Sequence, residues 1–335
     1  MRTIQNILWS RRQLMVSAAS AVGVPVLSWA TSSAAAPTRL TKMVVPFAAG
    51  GGVDMVARAL VQQLLPRYTQ GLIVESRPGA AGRIAAEYVK AQPADGSTLM
   101  YTPDFLLTLY PHSYRKLRYD PLSDFAPVCM TAVSTLALSI GPAVPDFVKT
   151  VAQFVAWCKA NPKRAQFASV AGGTPHFSGF MFARSAGIEH MQIPYKGGAP
   201  ALQDTIGGQV TSCIGPVGEV LPYAADPRVR VLATFGRQRN SFLPGVPTMV
   251  ECGYSDVVAE VWLGVVMPRG TPPATVAFAA DAIKEAATSQ QLKSAYALTG
   301  MNTVATTPEE MAATIRADLS RWGPVVRASG FSADD

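Results

Sequence analysis

Histidine, cysteine and charge are all scarce in this chain: three histidines, four cysteines and 15% charged residues among 335. His112, His176 and His190 fit no metal-binding spacing, and no HExxH occurs. Cys129, Cys158, Cys213 and Cys252 lie far apart without a CxxC pair, so no metal site is expected. An exported compartment permits disulfides, but four cysteines allow three pairings. The apolar stretches around Cys129 and Cys213 fit buried free thiols equally well. The chain also lacks a GxxxxGK[ST] phosphate loop and a GxSxG elbow. Met55 stands where a dinucleotide fingerprint needs its third glycine. Nothing nominates a cofactor, or a nucleophile with a base. The net charge of +7 contains no Lys/Arg run and no basic patch interleaved with aromatics, which argues against nucleic acid. These absences shift weight from catalysis to binding.

Hydrophobic residues make up 49% of the chain, enough for a large core and too much for disorder. Residues 1–36 read as an export signal. Arg11 and Arg12 precede the apolar run Leu14 to Ala30, small residues follow, and the arginine pair loosely fits a twin-arginine signal. The alternative, a membrane anchor, is disfavoured by Gly23 and Pro25 within the run. A soluble protein of the periplasm is expected.

From Lys42 onward, short β-branched runs alternate with amphipathic stretches. Strands are predicted at Met43–Phe47, Leu72–Glu75 and Thr98–Thr102, with helices at Val53–Tyr68 and Ala81–Ala91. After a long β-like run, Val128–Ile140, the alternation restarts. Helices are predicted at Val151–Ala160, Pro175–Ala186, Pro200–Ile206 and Glu219–Ala225. Strands are predicted at Gln166–Val170, His190–Tyr195, Val210–Ile214 and Val229–Phe235. A second long run, Val257–Met267, precedes a helical tail: Ala274–Thr288, Gln291–Leu298 and Pro308–Arg327. Two long runs bracketing a middle αβ segment imply two doubly wound α/β lobes joined by two crossing hinge strands. The C-terminal helices complete the first lobe, and a ligand crevice lies between the two.

Three strand-to-helix turns are glycine-rich: Ala48–Gly52, Ala171–Thr174 and Lys196–Ala199. In the last two, Pro175 and Pro200 sit where a first helical residue belongs. Each turn offers free N–H groups and a positive dipole end to an anion. Tight packing explains any single turn as well, but three split between two lobes favour a site. Asp54 reads as a helix cap or a ligand contact. Asp104 reads as a cap or an acid of the crevice. His176 fits packing or catalysis, and Trp262 a pocket wall or the core. A hydrolase or isomerase using His176 with Asp54 or Asp104 is the rival reading.

The segments VPFAAGGGVDMVAR, VESRPGAAGRIAAEYV, AQPADGSTLMY, YDPLSDFAPV, PYKGGAPALQDTIGGQV, LPGVPTMVECGY and RWGPVVRASG, in that order from about Lys42 to Gly330, resemble the Bug family. These are TctC-like periplasmic solute-binding receptors of tripartite tricarboxylate transporters. The resemblance implies a two-lobed, type II-like periplasmic-binding-protein fold. Lobe 1 spans 37–140 with 256–335, and lobe 2 spans 141–255. It implies a hinge-closing, monomeric receptor that captures a small carboxylate or amino acid for membrane transporter subunits. A ligand sensor for a membrane kinase is the neighbouring alternative. Carried over by position, the ligand contacts are Phe47, Ala48, Gly51, Asp54, Gly173, Thr174, His176 and Ala199, with Asp104 and Trp262 added from the residues themselves. No catalytic residue, metal or cofactor is assigned. The chain departs from the family pattern at Ala49 and Gly52, where prolines are usual, and at Gly215 and Phe180, where acids are common. At Tyr101–Asp104 the family often has a small Gly-Thr/Ser segment. A looser first loop and a crevice that trades an acid at Gly215 for one at Asp104 follow.

Overall fold

The computed structural model describes residues 38–333. The expected export signal at 1–36 lies outside them. The strands are β1 Thr41–Val45, β2 Leu72–Ser76, β3 Thr98–Pro103, β4 Phe125–Ile140, β5 Gln166–Val170, β6 Met191–Tyr195, β7 Ser212–Pro216, β8 Arg230–Thr234, β9 Glu260–Pro268 and β10 Asn302–Thr303. The helices are α1 Gly52–Leu64, α2 Arg83–Lys90, α3 Asp104–Thr108, α4 Tyr110–Ser113, α5 Val151–Ala160, α6 Thr174–Ala186, α7 Gly198–Ile206, α8 Val217–Val220, α9 Pro273–Ala286, α10 Gln290–Ala297 and α11 Pro308–Ser329.

Local chemistry sets these bounds. Val56, Ala57, Leu60, Val61 and Leu64 recur at helical spacing and are buried along α1. A capping box between Thr307 and Glu310 starts α11, and Gly330 ends it at φ 67°. The helix expected from Ala81 begins at Arg83, because Ala80 and Ala81 hold positive φ (45° and 54°) in the preceding turn. The helix expected at Glu219–Ala225 is α8 followed by a 3-10 turn at Leu221–Tyr223, where Pro222 lacks an N–H. The short elements α3, α4 and β10 carry too little periodicity to be read in advance.

The strand order is β2-β1-β3-β9-β4 in the first half and β6-β5-β7-β4-β8 in the second. Both halves thus share one plan, and in each the fourth strand arrives from the other half. β4 is common to both sheets: Phe125–Thr135 pairs with β9, and Leu136–Ile140 pairs with β7. The return crossing runs alongside. Phe235 N–H donates to Leu136 O at 2.9 Å, and Ala259 N–H donates to Phe235 O at 2.8 Å.

Register fixes which edges face each other. β1 and β2 run parallel to β3, which ends at Pro103 opposite Leu263, itself opposite Ala132 of β4. β5 and β6 run parallel to β7, which ends at Pro216 opposite Leu136. β3 and β7 therefore approach the middle of β4 from opposite directions. The carboxyl edges of the two sheets, where open α/β sheets bind ligands, confront each other.

One core around Met43, Leu60, Tyr101, Val265 and Ile283 fills the first half. Another, around Phe154, Phe167, Phe177 and Phe235, fills the second. Helix α11 serves both: Met311 and Ile315 pack with the first half, and Trp322 and Val326 with Phe177. All four cysteines are free, and Cys129, Cys158 and Cys213 are buried.

Near the crossing, Gly218 of α8 sits so close to Thr299 that a Cβ there would overlap the Thr299 carbonyl. Gly218→Ala is expected to cost about 1–3 kcal/mol in denaturant unfolding. Gly245→Ala, with open space around it, should cost far less. Equal midpoints for the two variants would contradict this packing.

Candidate functional site

The turn after β1 is the open one. Ala48 to Gly52 are exposed, and Gly50 takes φ 82°, which glycine adopts without strain. Asp54 is 1% exposed and turns back on the loop. Its Oδ2 accepts from Gly50 N–H at 2.9 Å and Arg58 Nε at 2.8 Å, and its Oδ1 accepts from Ser76 Oγ at 3.2 Å. Burial works to raise its pKa, but Arg58, Gly50 and Ser76 together hold it below the usual carboxylate range. Of the two roles its position suggested, Asp54 does not take the cap. It makes no cap bond to the helix start, and it ties the loop that the missing prolines were expected to loosen. The first-turn amides of α1 have no intrahelical acceptor and remain for something else. Phe47 is half-buried, its ring 6.2 Å from that of Phe105.

The turn after β5 is sealed. Gly173, Thr174, Pro175 and His176 are buried. Thr174 Oγ1 donates to Asp104 Oδ2 at 2.8 Å, a contact between residues 70 apart in sequence that joins the tip of α6 to the end of β3. Asp104 is 1% exposed. Burial pushes its pKa up to about 7, with Asp318 adding to the rise and the Thr174 hydroxyl and Arg321 opposing it. His176 Nδ1 accepts from Gly172 N–H at 3.2 Å, and its ring packs on Phe177 and Phe331. Burial lowers its pKa to about 4. Asp54 and Asp104 both bond to other groups, so the acid–histidine pair required by the hydrolase reading does not form.

The turn after β6 leaves Ala199 exposed and Gly197 and Gly198 half-buried. A Cβ at Gly198 would overlap the Glu219 carboxylate, and one at Gly215 would lie 2.7 Å from Glu219 Oε2. The acid absent at Gly215 is therefore supplied from four residues downstream. Burial pushes Glu219 up to about 7, and its Oε2 is buried without a hydrogen-bond partner.

Trp262 is 3% exposed and donates through Nε1 to Asp318 at 3.0 Å. It lines a 260 Å³ cavity with Asp318, Arg321 and Arg237, which is wall and core at once. A 510 Å³ cavity lies beside it, lined by Thr135, Arg237, Asn240, Glu260 and Asn302. Both open at the strand crossing rather than between the helix tips.

Residues 56–331 match the family described as tripartite tricarboxylate transporter family receptor, TctC. The chain belongs to that family. Proteins similar to it include protein BugT of Bordetella pertussis strain Tohama I, 33% identical over 300 residues, covering 88% of this chain and 90% of BugT. Among solved structures, R. palustris Rpa4515 with adipate is 31% identical, covers 88% of this chain and 99% of its own, and has a TM-score of 0.79. The periplasmic binding protein BugD is 26% identical, with coverage of 89% and 100% and a TM-score of 0.77. As a TctC receptor the chain is a two-lobed solute-binding protein and not an enzyme.

Sequence reasoning missed Glu219 and Phe331. Glu219 could have been found as the acid one helical turn beyond Gly215. Phe331 follows the helix-ending Gly330, where an apolar residue commonly folds back.

The buried titratable groups pull stability in opposite directions with pH. Asp104 and Glu219, raised to about 7, bind protons in the fold that the unfolded chain has released, so their contribution falls as pH rises from about 4 to 7. His176 and His190, lowered to about 4 and about 3, contribute more as pH rises toward 6.5. Asp104→Asn removes one falling contribution. Calorimetry should show a melting-temperature gain over the parent that is near zero at pH 4, grows through pH 6 and levels off above pH 7. A gain independent of pH would contradict the buried acid.

Proposed function

We propose that this receptor captures a small carboxylate or amino acid in the crevice between the two sheet edges, with the exposed tip of α1 as its primary anion holder. The supporting observation is the open turn Ala48–Gly52 facing, across the middle of β4, the turns that lead into α6 and α7. Lobe 1 then comprises 37–140 and 256–335, lobe 2 comprises 141–255, and the hinge is β4 near Val133–Leu136 with the Phe235–Ala259 crossing beside it. Two relatives bear on the ligand class: Rpa4515 was solved with adipate, and MatC of R. palustris, 26% identical with a TM-score of 0.76, with bound malate.

Capture proceeds by backbone donation. Amides of Gly52 and Val53 aim at a carboxylate, the Gly51 N–H being taken by Ala48 O at 3.3 Å, and the α1 dipole adds to their pull. Phe47 and Ala48 form the wall beside it, and Gly173, Thr174, His176 and Ala199 form the opposing wall. Closure removes water, which strengthens each bond to the charged group. The closed shape is then recognised by membrane subunits of the transporter from the periplasmic side, by a single receptor chain. No membrane-spanning helix occurs among the described residues.

The test is calorimetric titration of the mature protein with a panel of mono- and dicarboxylates, with and without an amino group. Saturable binding without product is expected. Each bond to a charged group contributes ~1.5–3 kcal/mol. Asp54→Ala, which frees the loop, should therefore weaken binding by about 10-fold or more. No binding by any carboxylate, or turnover of a bound one, would overturn the reading.

A further inference from the structure

Two of the three helix tips at the crevice already carry a carboxyl group belonging to the chain itself. At α6 it is Asp104, which reaches from the first half to accept the Thr174 hydroxyl at 2.8 Å. At α7 it is Glu219, whose carboxylate lies against Gly198 and Gly215 so closely that neither position has room for a side chain. Both sites offer what an anionic ligand would seek: a hydroxyl donor at one and a helix N-terminus at the other.

We propose that Asp104 takes the place of a ligand carboxylate at the tip of α6, so that the crevice selects a ligand with one anionic end, held at α1, and a hydrogen-bond donor at the other. An ω-amino acid has that chemistry, and a dicarboxylate does not. The inference rests on the crevice being the carboxylate site.

The local charges favour it. The charged groups that act on Asp104 are Asp318 and Arg321 of α11, and these pair with each other at 3.3 Å. Little positive charge is left to offset Asp104, so a second anion beside it would meet a carboxyl driven further toward its protonated form, whereas a cationic donor would favour the ionised carboxylate that can accept from it. Glu219 repeats the pattern independently. Its Oε2 is buried and accepts no hydrogen bond, although buried polar atoms nearly always find a partner. The cavity beside it, about 10 Å³, sits at the lower limit for a water molecule and is lined mainly by Ala137, Leu202, Cys213 and Val220, too few polar groups to hold one.

The discriminating experiment is titration with pairs of equal length: adipate against 6-aminohexanoate, and succinate against 4-aminobutanoate. The parent protein should bind the amino acid of the better pair at least 10-fold more tightly than its dicarboxylate. Asp104→Ser, which restores a small hydroxyl residue, should reverse that preference, and Glu219→Gln should weaken it. Asp104→Asn keeps the shape and an acceptor for Thr174, and serves if the serine variant does not fold; it should erase the 10-fold gap. Tighter binding of the dicarboxylate by the parent, or a ratio unmoved by the Asp104 variants, would overturn this inference while leaving the carboxylate crevice intact. No binding of either class would overturn both.

Discussion

A helix tip turned into a dry crevice must find negative charge, because its first amides have no partner within the helix. That requirement organises the binding face of this receptor. In the proposed site three strands deliver three such tips to one place, and the tips meet the requirement differently. The tip of α6 uses Asp104 from the opposite half. The tip of α7 has Glu219 lying against its first residue. The tip of α1 has Asp54 nearby, but that carboxylate is committed to Gly50, Arg58 and Ser76 and makes no bond to the helix start. In the proposed site α1 is thus the tip left for an outside anion.

The tips can meet only because of β4. One strand of 16 residues pairs with β9 and β10 in one sheet and with β7 and β8 in the other. The parallel strands of both halves therefore end at its middle, from opposite directions. In the proposed division into lobes, motion of one half against the other passes through this strand and the Phe235–Ala259 segment beside it, the place for a hinge. α11 spans the same junction on one face, with Ile315 in one core and Trp322 in the other. Its Asp318 and Arg321 are part of the electrostatic surroundings of Asp104, so lobe closure and crevice charge are linked through a single helix.

Much of this was legible in the sequence, and for identifiable reasons. Val151–Ala160 and Gln166–Val170 match their elements residue for residue, because the first is bounded by the Thr150 cap and a proline, and the second is a short segment with Phe167 and Val170 set between turns. The glycine turns were visible as composition. The partners of those turns were not, since Asp104 and Thr174 are 70 residues apart and only the register of β3 and β7 against β4 brings them together. Glu219 illustrates a subtler limit: a family position that has lost its acid read as lost charge, whereas one helical turn returned the carboxylate to the same place. The strain at Ala80 and Ala81 left no mark in residue type, because alanine ordinarily favours helix.

The most direct measurement is amide chemical-shift mapping on 15N-labelled protein titrated with a bound carboxylate. The account predicts that the largest ligand-induced shifts fall on Gly52 and Val53, with smaller ones at Thr174 and Ala199 as the halves close. Shifts concentrated instead on Arg237 to Asn240, around the 510 Å³ cavity at the strand crossing, would place the ligand elsewhere and contradict it.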